Sequence, residues 1–177
     1  MGLTKIKHNA EIFIDDYPFH DSLKKEVLSL LKVCQPISQN RSNVKASLHT
    51  EWDWEPNNIQ FRNVKAYIKE KIEGIFRPGA RSDGPEVRLH VSNFWGNVYE
   101  KGDYAQPHSH KPHVYSFAYF VKSKWYHSPL VFGDSGWRMR PKEGRFIAFP
   151  AYLIHHVPKH RYNDTRITLS GNLDLEE

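Results

Sequence analysis

The stretch that decides the fold is Asn-Val-Tyr-Glu-Lys-Gly-Asp-Tyr-Ala-Gln-Pro-His-Ser-His, residues 97–110. Two later segments complete it: Phe-Pro-Ala-Tyr-Leu-Ile-His at 149–155 and Arg-Ile-Thr-Leu-Ser at 166–170. Residues two apart on a strand face the same side of a sheet, so His108 and His110 can both point into one barrel. His155, 45 residues after His110, must then come from a strand that the fold brings alongside. The three imidazoles predict a metal site with open positions, which is typical of catalysis.

The alternative is that these histidines are ordinary surface or core residues. The chain has 11 His among 177 residues, and at that frequency an accidental His-x-His pair is expected about once. The context favours the metal site. His108 and His110 follow a predicted strand and a turn at Gly102, and His155 follows the apolar run 146–149, which Pro150 ends.

Length and composition predict one domain over residues 1–177 with a sizeable core. Aromatic residues make up 14% of the chain, so the mean hydropathy of −0.67 does not indicate disorder. The net charge of +5 fits nucleic acid, an acidic protein surface or an anionic small molecule as a partner, but spread-out loop charge explains it better. The charge therefore does not choose the function.

The single cysteine, Cys34, cannot form an internal disulfide, and we expect it to be a buried small hydrophobe on a helix. The N-terminus lacks the apolar run of a secretory signal, and no apolar stretch is long enough to span a membrane. These features favour a cytoplasmic protein without a membrane partner.

Periodicity predicts an α+β chain. A strand at 11–14 precedes a helix that Asp21 can cap and that stops before Pro36, and a second helix follows from Phe61 to about Pro78. The stretch 39–58 has no clear period. From residue 86 the period shifts towards two, which predicts strands at about 86–95, 97–100, 113–121, 129–132, 136–140, 145–149, 154–157 and 166–173. Helices first and many short strands afterwards indicate helical support over about 1–80 and a jelly-roll core over about 86–173.

The sequence resembles the iron(II) and 2-oxoglutarate-dependent dioxygenase superfamily. Asn97-x-Tyr99-x-x-Gly102 with His108 resembles the segment that ends in the first metal ligand of AlkB-type demethylases. Phe149-Pro150, His155-x-Val157, Arg166 and Ser170 resemble the closing segment of prolyl 4-hydroxylase-like members. The resemblance covers about residues 86–173, and it implies a double-stranded β-helix, which is a jelly roll, with N-terminal supporting helices.

The resemblance also implies roles for individual residues. His108 and His155 would be Fe(II) ligands together with His110, and Arg166, eleven residues past His155, would bind the distal carboxylate of 2-oxoglutarate. The guanidinium suits this task, because its planar fork binds a carboxylate through two hydrogen bonds. Further polar side chains could contact the cosubstrate: Asn97, Tyr99, Tyr119 and Ser170. No other catalytic residue is implied, because the metal and O₂ would perform the oxidation.

The chain departs from the family at residue 110. The family pattern His-x-Asp or His-x-Glu places an acid where this chain has His110. A neutral imidazole leaves an iron complex one unit more positive than a carboxylate does. Three-histidine iron sites occur in the cupin dioxygenases, and Gly102 with His108-x-His110 also resembles their motif, although its following Glu is missing. Asp103 and Asp134 could supply a carboxylate, but neither has a suitable spacing.

Three functions stay open from the sequence. The leading hypothesis is a 2-oxoglutarate-dependent hydroxylase that acts on a peptide or protein residue, with a small molecule as the next substrate class and nucleic acid third. The second is a cupin-like three-histidine dioxygenase that needs no cosubstrate. The third is a non-catalytic jelly-roll binding module that uses basic and aromatic loops, among them Trp52, Trp54, Trp125 and Trp137.

Overall fold

The structure, a computed structural model, describes residues 10–36, 42–75, 87–133 and 135–176. Its helices are α1 (His20–Leu31) and α2 (Ile59–Ile75). Its strands are β1 (Phe13–Asp16), β2 (Val44–Lys45), β3 (Leu48–His49), β4 (Leu89–Tyr99), β5 (Tyr104–His108), β6 (Tyr115–Lys122), β7 (Leu130–Phe132), β8 (Arg138–Met139), β9 (Arg145–Pro150), β10 (His155–Val157) and β11 (Arg166–Leu175).

The strands form two antiparallel sheets that face each other. The larger sheet has the order β1-β9-β6-β11-β4-β3, and the smaller has the order β2-β5-β10-β7-β8. Consecutive strands alternate between the sheets along much of the chain, as they do in a jelly roll. The predicted α+β class with a jelly-roll core is confirmed.

Each face of the larger sheet covers its own hydrophobic core. The outer face packs against both helices, which contribute Leu23, Val27, Phe61, Val64, Ile68 and Ile72. The inner face meets the smaller sheet in a second core built from residues such as Phe120, Ile147, Phe149 and Val157. Alternation along each strand separates these cores, because successive side chains point to opposite faces. The helices therefore stabilise the larger sheet from outside, and the space between the sheets remains for a site.

Several predicted boundaries change. The strands predicted at 86–95 and 97–100 are one continuous strand, β4. The stretch 39–58 contains β2 and β3, each of two residues, which is too short to show a period. The strand β5 lies in a segment, 101–112, for which periodicity predicted no strand. The predicted end of the second helix near Pro78 lies outside the described residues, and the single domain over 1–177 stays a prediction.

The predictions for the first helix need two corrections. Asp21 is not its N-cap, because α1 begins at His20 and Asp21 lies in its first turn. Cys34 does not lie on α1, which ends at Leu31, and its free thiol is only half-buried. Pro36 restricts Gln35 to extended conformations and so stops a helix before residue 36, but α1 already ends earlier, at Leu31. Burial nevertheless raises the pKa of the Cys34 thiol.

Neither helix in the described part of the chain is long and apolar enough to cross a membrane.

The packing of α2 on the larger sheet generates the first prediction. Ile68 is fully buried, whereas Ile59 on the same helix is 53% exposed. We expect Ile68→Ala to lower the free energy of unfolding by about 2–5 kcal/mol, because it removes buried methylenes and leaves a cavity. Ile59→Ala should change it by less than about 0.5 kcal/mol. Denaturant titrations measure both values, and equal effects of the two substitutions would contradict this packing.

Candidate active site

The structure brings three sequence-distant histidines together where β5 meets β10. His108 ends β5 and His155 begins β10, and the two are direct partners across the strand pair. His110 lies two residues past the end of β5 rather than on it, and its backbone N–H donates to the Ala151 carbonyl at 2.8 Å. One ring nitrogen from each histidine lies within 4.8 Å of the other two. The cluster that the sequence predicted is therefore formed.

Hydrogen bonds orient two of the three rings. Nδ1 of His108 lies 2.6 Å from the Gln106 carbonyl oxygen, and Nδ1 of His155 lies 3.0 Å from that of Leu153. A carbonyl only accepts, so each Nδ1 carries the hydrogen and each Nε2 keeps its lone pair. Nε2 of His155 faces Nε2 of His110 at 3.3 Å. This is close to the separation, roughly 3.0–3.4 Å, of two imidazole nitrogens bound to one metal ion.

The surroundings keep the imidazoles neutral. Burial, with smaller contributions from the neighbouring imidazoles of His155 and His108, lowers the pKa of His110 to about 2. Burial, with a smaller effect from His108, lowers the pKa of His155 to about 3. The pKa of His108 is also lowered, mainly by burial. Neutral imidazole is the form that binds metals, so the cluster needs no deprotonation near neutral pH.

A cavity between the two sheets runs from the histidines along β4 and β11. It encloses about 460 Å³, including the solvent at its mouth. Three cross-strand pairs line it as rungs, because every second residue of each strand faces inward. These rungs are Ser170 with Trp95, Thr168 with Asn97, and Arg166 with Tyr99. Apolar walls come from Val44, Ala105, Leu130, Phe149 and Val157.

The rungs define the direction of the cavity. The Trp95 ring lies 5.8 Å from the His110 ring between centroids, so the first rung is beside the histidine cluster. Arg166 and Tyr99 form the third rung, four residues further along each strand. Asn97 on the middle rung is 2% exposed, and its Oδ1 has no hydrogen-bond partner among the described residues.

Arg166 is a buried cation without a carboxylate partner in the described structure. The side chain is 2% exposed, and its Nε and Nη1 atoms have no hydrogen-bond partner there. Its guanidinium lies over the Tyr99 ring, 4.7 Å from the centroid, and over the Phe120 ring at 5.5 Å. Burial lowers the pKa of Arg166, while Tyr99 acts in the opposite direction. A buried unpaired charge is costly, so this guanidinium favours an anionic ligand in the cavity.

Tyr119 does not belong to the cavity, contrary to the sequence prediction. It lies on the outer face of β6, in the core beneath the helices. Its hydroxyl is 2.7 Å from Nδ1 of His20 in α1. The inward positions of β6 are Ala118, which lines the cavity, and Phe120, which packs between the sheets. The period of two on β6 thus turns Tyr119 towards the helices.

No acid joins the histidines in the described residues, since the cluster of ligand atoms contains imidazoles only. Asp103 is engaged elsewhere: its Oδ2 accepts from the Ser47 hydroxyl at 2.6 Å and from the Glu100 backbone N–H at 2.8 Å. Those bonds stabilise the turn before β5. Asp134 lies outside the described residues. The departure from His-x-Asp that the sequence shows at His110 is therefore also found in the geometry.

A second cavity adjoins the first at the histidines. It encloses about 650 Å³, including open solvent, and shares Val44, Trp95, His108 and His110 with the first cavity. Its other walls are largely polar: Ser42, Asn43, Trp52, Asn93, Ser109, Lys111, His113 and Asn172. The histidines therefore stand between a narrow cavity that leads to Arg166 and a wider polar one.

Two cavity residues, Trp95 and Thr168, were not predicted from the sequence. A signal was present, because Thr168 lies midway between Arg166 and Ser170, and Trp95 is two residues before Asn97. Extending the period of two along both strands identifies them. One further step along β4 reaches Asn93, which lines the second cavity, whereas Trp52 reaches that cavity from a segment that the periodicity does not relate.

Comparison with solved structures finds the same fold. A Pseudomonas putida prolyl-4-hydroxylase superposes with a TM-score of 0.69 at 13% identity, covering 94% of both chains. A viral collagen prolyl hydroxylase from Paramecium Bursaria Chlorella virus-1, in complex with 2-oxoglutarate, gives 0.67 at 11% identity, covering 92% of this chain and 94% of that one. HygX from Streptomyces hygroscopicus, with nickel and 2-oxoglutarate bound, gives 0.65 at 10% identity, covering 93% and 83%.

No protein-family model matches the sequence. No curated protein matches it either. At these identities the structural neighbours establish the fold, and they confirm the double-stranded β-helix with supporting helices.

The placement of Tyr119 generates the second prediction. Tyr119→Phe should lower the free energy of unfolding by about 0.5–1.5 kcal/mol, because His20 loses its hydrogen-bond partner in a partly buried place. Tyr162 is 42% exposed, and Tyr162→Phe should change the value by less than about 0.5 kcal/mol. Denaturant unfolding measures both. An unchanged stability of Tyr119→Phe would show that this bond does not form.

Proposed function

We propose that this chain is an Fe(II)- and 2-oxoglutarate-dependent dioxygenase. One observation carries the proposal: Arg166, a buried guanidinium whose Nε and Nη1 have no partner among the described residues, lies in the same cavity as three clustered neutral imidazoles. A ligand that satisfies both ends needs a carboxylate for the guanidinium and further donor atoms for a metal. 2-Oxoglutarate has a carboxylate at one end and a 2-oxo acid group at the other.

Arg166 would bind the distal carboxylate. A buried charge without a partner destabilises a protein strongly. A carboxylate ligand that pairs with the buried guanidinium would remove that cost. The guanidinium fork can form two parallel charge-assisted bonds, each stronger than a neutral hydrogen bond. The Tyr99 and Phe120 rings against the guanidinium hold its orientation before the ligand arrives.

His108, His110 and His155 would hold the iron. Their donors fit the metal, because imidazole suits iron, the rings are neutral, and hydrogen bonds leave Nε2 of His108 and His155 free. Three protein ligands leave coordination positions open. When bound, the iron would supply the oxidising power for a substrate hydroxylation that consumes O₂ and 2-oxoglutarate and releases succinate and CO₂.

Other residues of the chain would orient the cosubstrate and exclude water. The Asn97 amide and the hydroxyls of Thr168 and Ser170 lie on the rungs between the histidines and Arg166, where they can hydrogen-bond carboxylate oxygens. Apolar walls, including Leu130 and Phe149, keep this part of the cavity dry, which strengthens the polar contacts within it. No side chain is required as a general acid or base.

The substrate that we favour is a peptide or protein residue bound in the second cavity. The wide polar cavity beside His108 and His110 offers amide and hydroxyl groups, such as those of Asn93 and Asn172, which suit a peptide backbone. The neighbour named as a collagen prolyl hydroxylase supports this choice. A small molecule is the second choice, since HygX has also been solved with hygromycin B. Nucleic acid is less favoured.

A cupin-like dioxygenase that needs no cosubstrate is the second candidate, because the third ligand position holds His110 rather than an acid. Oxygen uptake by the Fe(II) protein separates the two. The proposed function requires uptake that depends on added 2-oxoglutarate and yields succinate. Uptake with a substrate panel in the absence of 2-oxoglutarate would support the cupin-like reaction. Failure to bind iron at all would leave the jelly-roll binding module.

The third prediction concerns the metal ligands. His155→Ala should lose Fe(II) affinity by at least about 100-fold, because a ligand is removed from the cluster. His156→Ala is the matched control, since this neighbour on β10 points to the opposite face and should keep the wild-type affinity. Anaerobic metal analysis after equilibrium dialysis measures both. Equal iron contents in the two variants would contradict the assignment.

The fourth prediction concerns Arg166. Arg166→Met keeps most of the side-chain length but removes two charge-assisted bonds worth about 3 kcal/mol together, so the Kd for 2-oxoglutarate should rise about 100-fold. Without ligand, the variant should be at least as stable as the wild type, because an unpaired buried charge is gone. Arg138→Met, at an exposed position, is the control. Calorimetric titration measures the Kd, and an unchanged value for Arg166→Met would overturn the proposed role.

A further inference from the structure

A second group of metal-ligating side chains lies outside the cavity that the proposed function uses. His127 is on the loop after β6, and His160 and Asp164 lie between β10 and β11. The side chains of His127 and His160 are 1% and 0% exposed. One ligand atom from each of the three residues lies within 4.8 Å of the other two. None of these residues lines the cavity that contains Arg166.

The group holds an unusual concentration of buried polar atoms without hydrogen-bond partners. In the described residues Nδ1 of His127 and Nδ1 of His160 have no partner, and Nε2 of His127 and Oδ1 of Asp164 have only each other, at 3.1 Å. Most buried polar atoms in native proteins are satisfied, and leaving one unsatisfied costs about 1–3 kcal/mol. Two unpartnered ring nitrogens beside one long imidazole–carboxylate contact indicate that a bound group completes the arrangement.

The distances suit a small cation. Oδ1 of Asp164 lies 3.1 Å from Nε2 of His127 and 3.9 Å from Nε2 of His160. Two ligands at about 2.0–2.1 Å from a tetrahedral Zn²⁺ lie roughly 3.3 Å apart, which is between these values. Nε2 of His160 donates to the Asp164 carbonyl at 2.7 Å, so metal binding through Nε2 would replace that hydrogen bond and move the ring hydrogen to Nδ1, which has no partner.

The charges around Asp164 leave one oxygen available. The Tyr126 hydroxyl donates to Oδ2 at 2.7 Å, and Nζ of Lys124 lies 2.9 Å from the same oxygen. These two contacts, that of Tyr126 first, hold the pKa of the Asp164 carboxyl well below its usual range. The carboxylate is therefore ionised, with Oδ2 occupied and Oδ1 turned towards the histidines.

We propose that His127, His160 and Asp164 bind a Zn²⁺ ion, with water as the fourth ligand. Two imidazoles and one carboxylate are typical zinc ligands, whereas Ca²⁺ and Mg²⁺ prefer sites made of oxygen atoms. The ion joins the loop after β6 to the segment that leads into β11. Asp164 is two residues before Arg166, so the ion also fixes the start of the strand that carries the guanidinium.

Zinc stoichiometry tests the proposal. The full chain is stripped with a chelator, equilibrated with Zn²⁺, dialysed and analysed for metal. Because the first histidine cluster can also take zinc, the decisive protein is the double variant His108→Ala/His155→Ala, which should retain one Zn²⁺ per chain. Adding Asp164→Asn, which preserves side-chain shape, should remove that ion, and adding His90→Gln, at an exposed position, should not.

Where a variant folds poorly, its melting temperature with and without Zn²⁺ provides a second measure of zinc binding. Zn²⁺ should raise the Tm of the double variant, because an ion that binds only the folded chain stabilises it, and should not raise it after Asp164→Asn or His127→Gln. The proposal would be overturned if the double variant bound no zinc, or if zinc binding persisted after Asp164→Asn and after His127→Gln. The three residues would then be a His–Asp packing cluster without a metal. If metal instead failed to bind only at His108, His110 and His155, the proposed function would fail and the zinc proposal would stand.

Discussion

The antiparallel pairing of β4 with β11 is the constraint on which the rest of the structure depends. Its register sets Arg166 opposite Tyr99, Thr168 opposite Asn97 and Ser170 opposite Trp95. A shift by one residue would turn all of these side chains to the helix-covered face, because the period of a strand is two. The outer core fixes the register: Ile167, Leu169 and Leu173 are buried on that face beneath the helices. Packing on one face of the sheet thus builds the cavity on the other.

The site has an unusual charge balance. Three neutral imidazoles contribute no negative charge, and Arg166 adds a buried positive charge. Arg166 lies on β11 four residues from Ser170, whose rung is beside the histidine cluster. With a divalent iron, the cavity would carry three positive charges and no protein carboxylate among the described residues that line it. A dianionic cosubstrate would neutralise two of them. An imidazole instead of a carboxylate at position 110 would therefore increase the preference of the cavity for an anion and, with iron bound, would change the electronic properties of the metal.

The sequence predicted what local periodicity and spacing can express. The helices around Val27 and Ile68 and most of the longer strands were predicted, because apolar spacing is a property of short segments. The pair His108-x-His110 is local as well, whereas its meeting with His155 was predicted from the set of three imidazoles and the family resemblance. The two-residue strands β2 and β3 could not be predicted, since they owe their conformation to their partners β5 and β4.

The sequence also could not predict which face of the sheet a side chain occupies. Tyr119 was a reasonable candidate by type, but the choice of face on β6 depends on the helices that cover the sheet, and His20 is 99 residues away in sequence. The cluster of His127, His160 and Asp164 could not be predicted for a similar reason, because it is formed by two loops that are adjacent only in the folded chain. Long-range packing decides both features.

The proposed function requires one cavity that binds iron through the histidines and 2-oxoglutarate through iron and Arg166 together. The most direct measurement is the visible absorption spectrum of the anaerobic Fe(II) protein during titration with 2-oxoglutarate. We expect a saturable charge-transfer band that requires both the iron and the cosubstrate, because only a 2-oxo acid chelated to the metal produces it. Iron bound at one equivalent in the histidine cluster, with no band at saturating 2-oxoglutarate, would show that the cavity does not bind 2-oxoglutarate in this way.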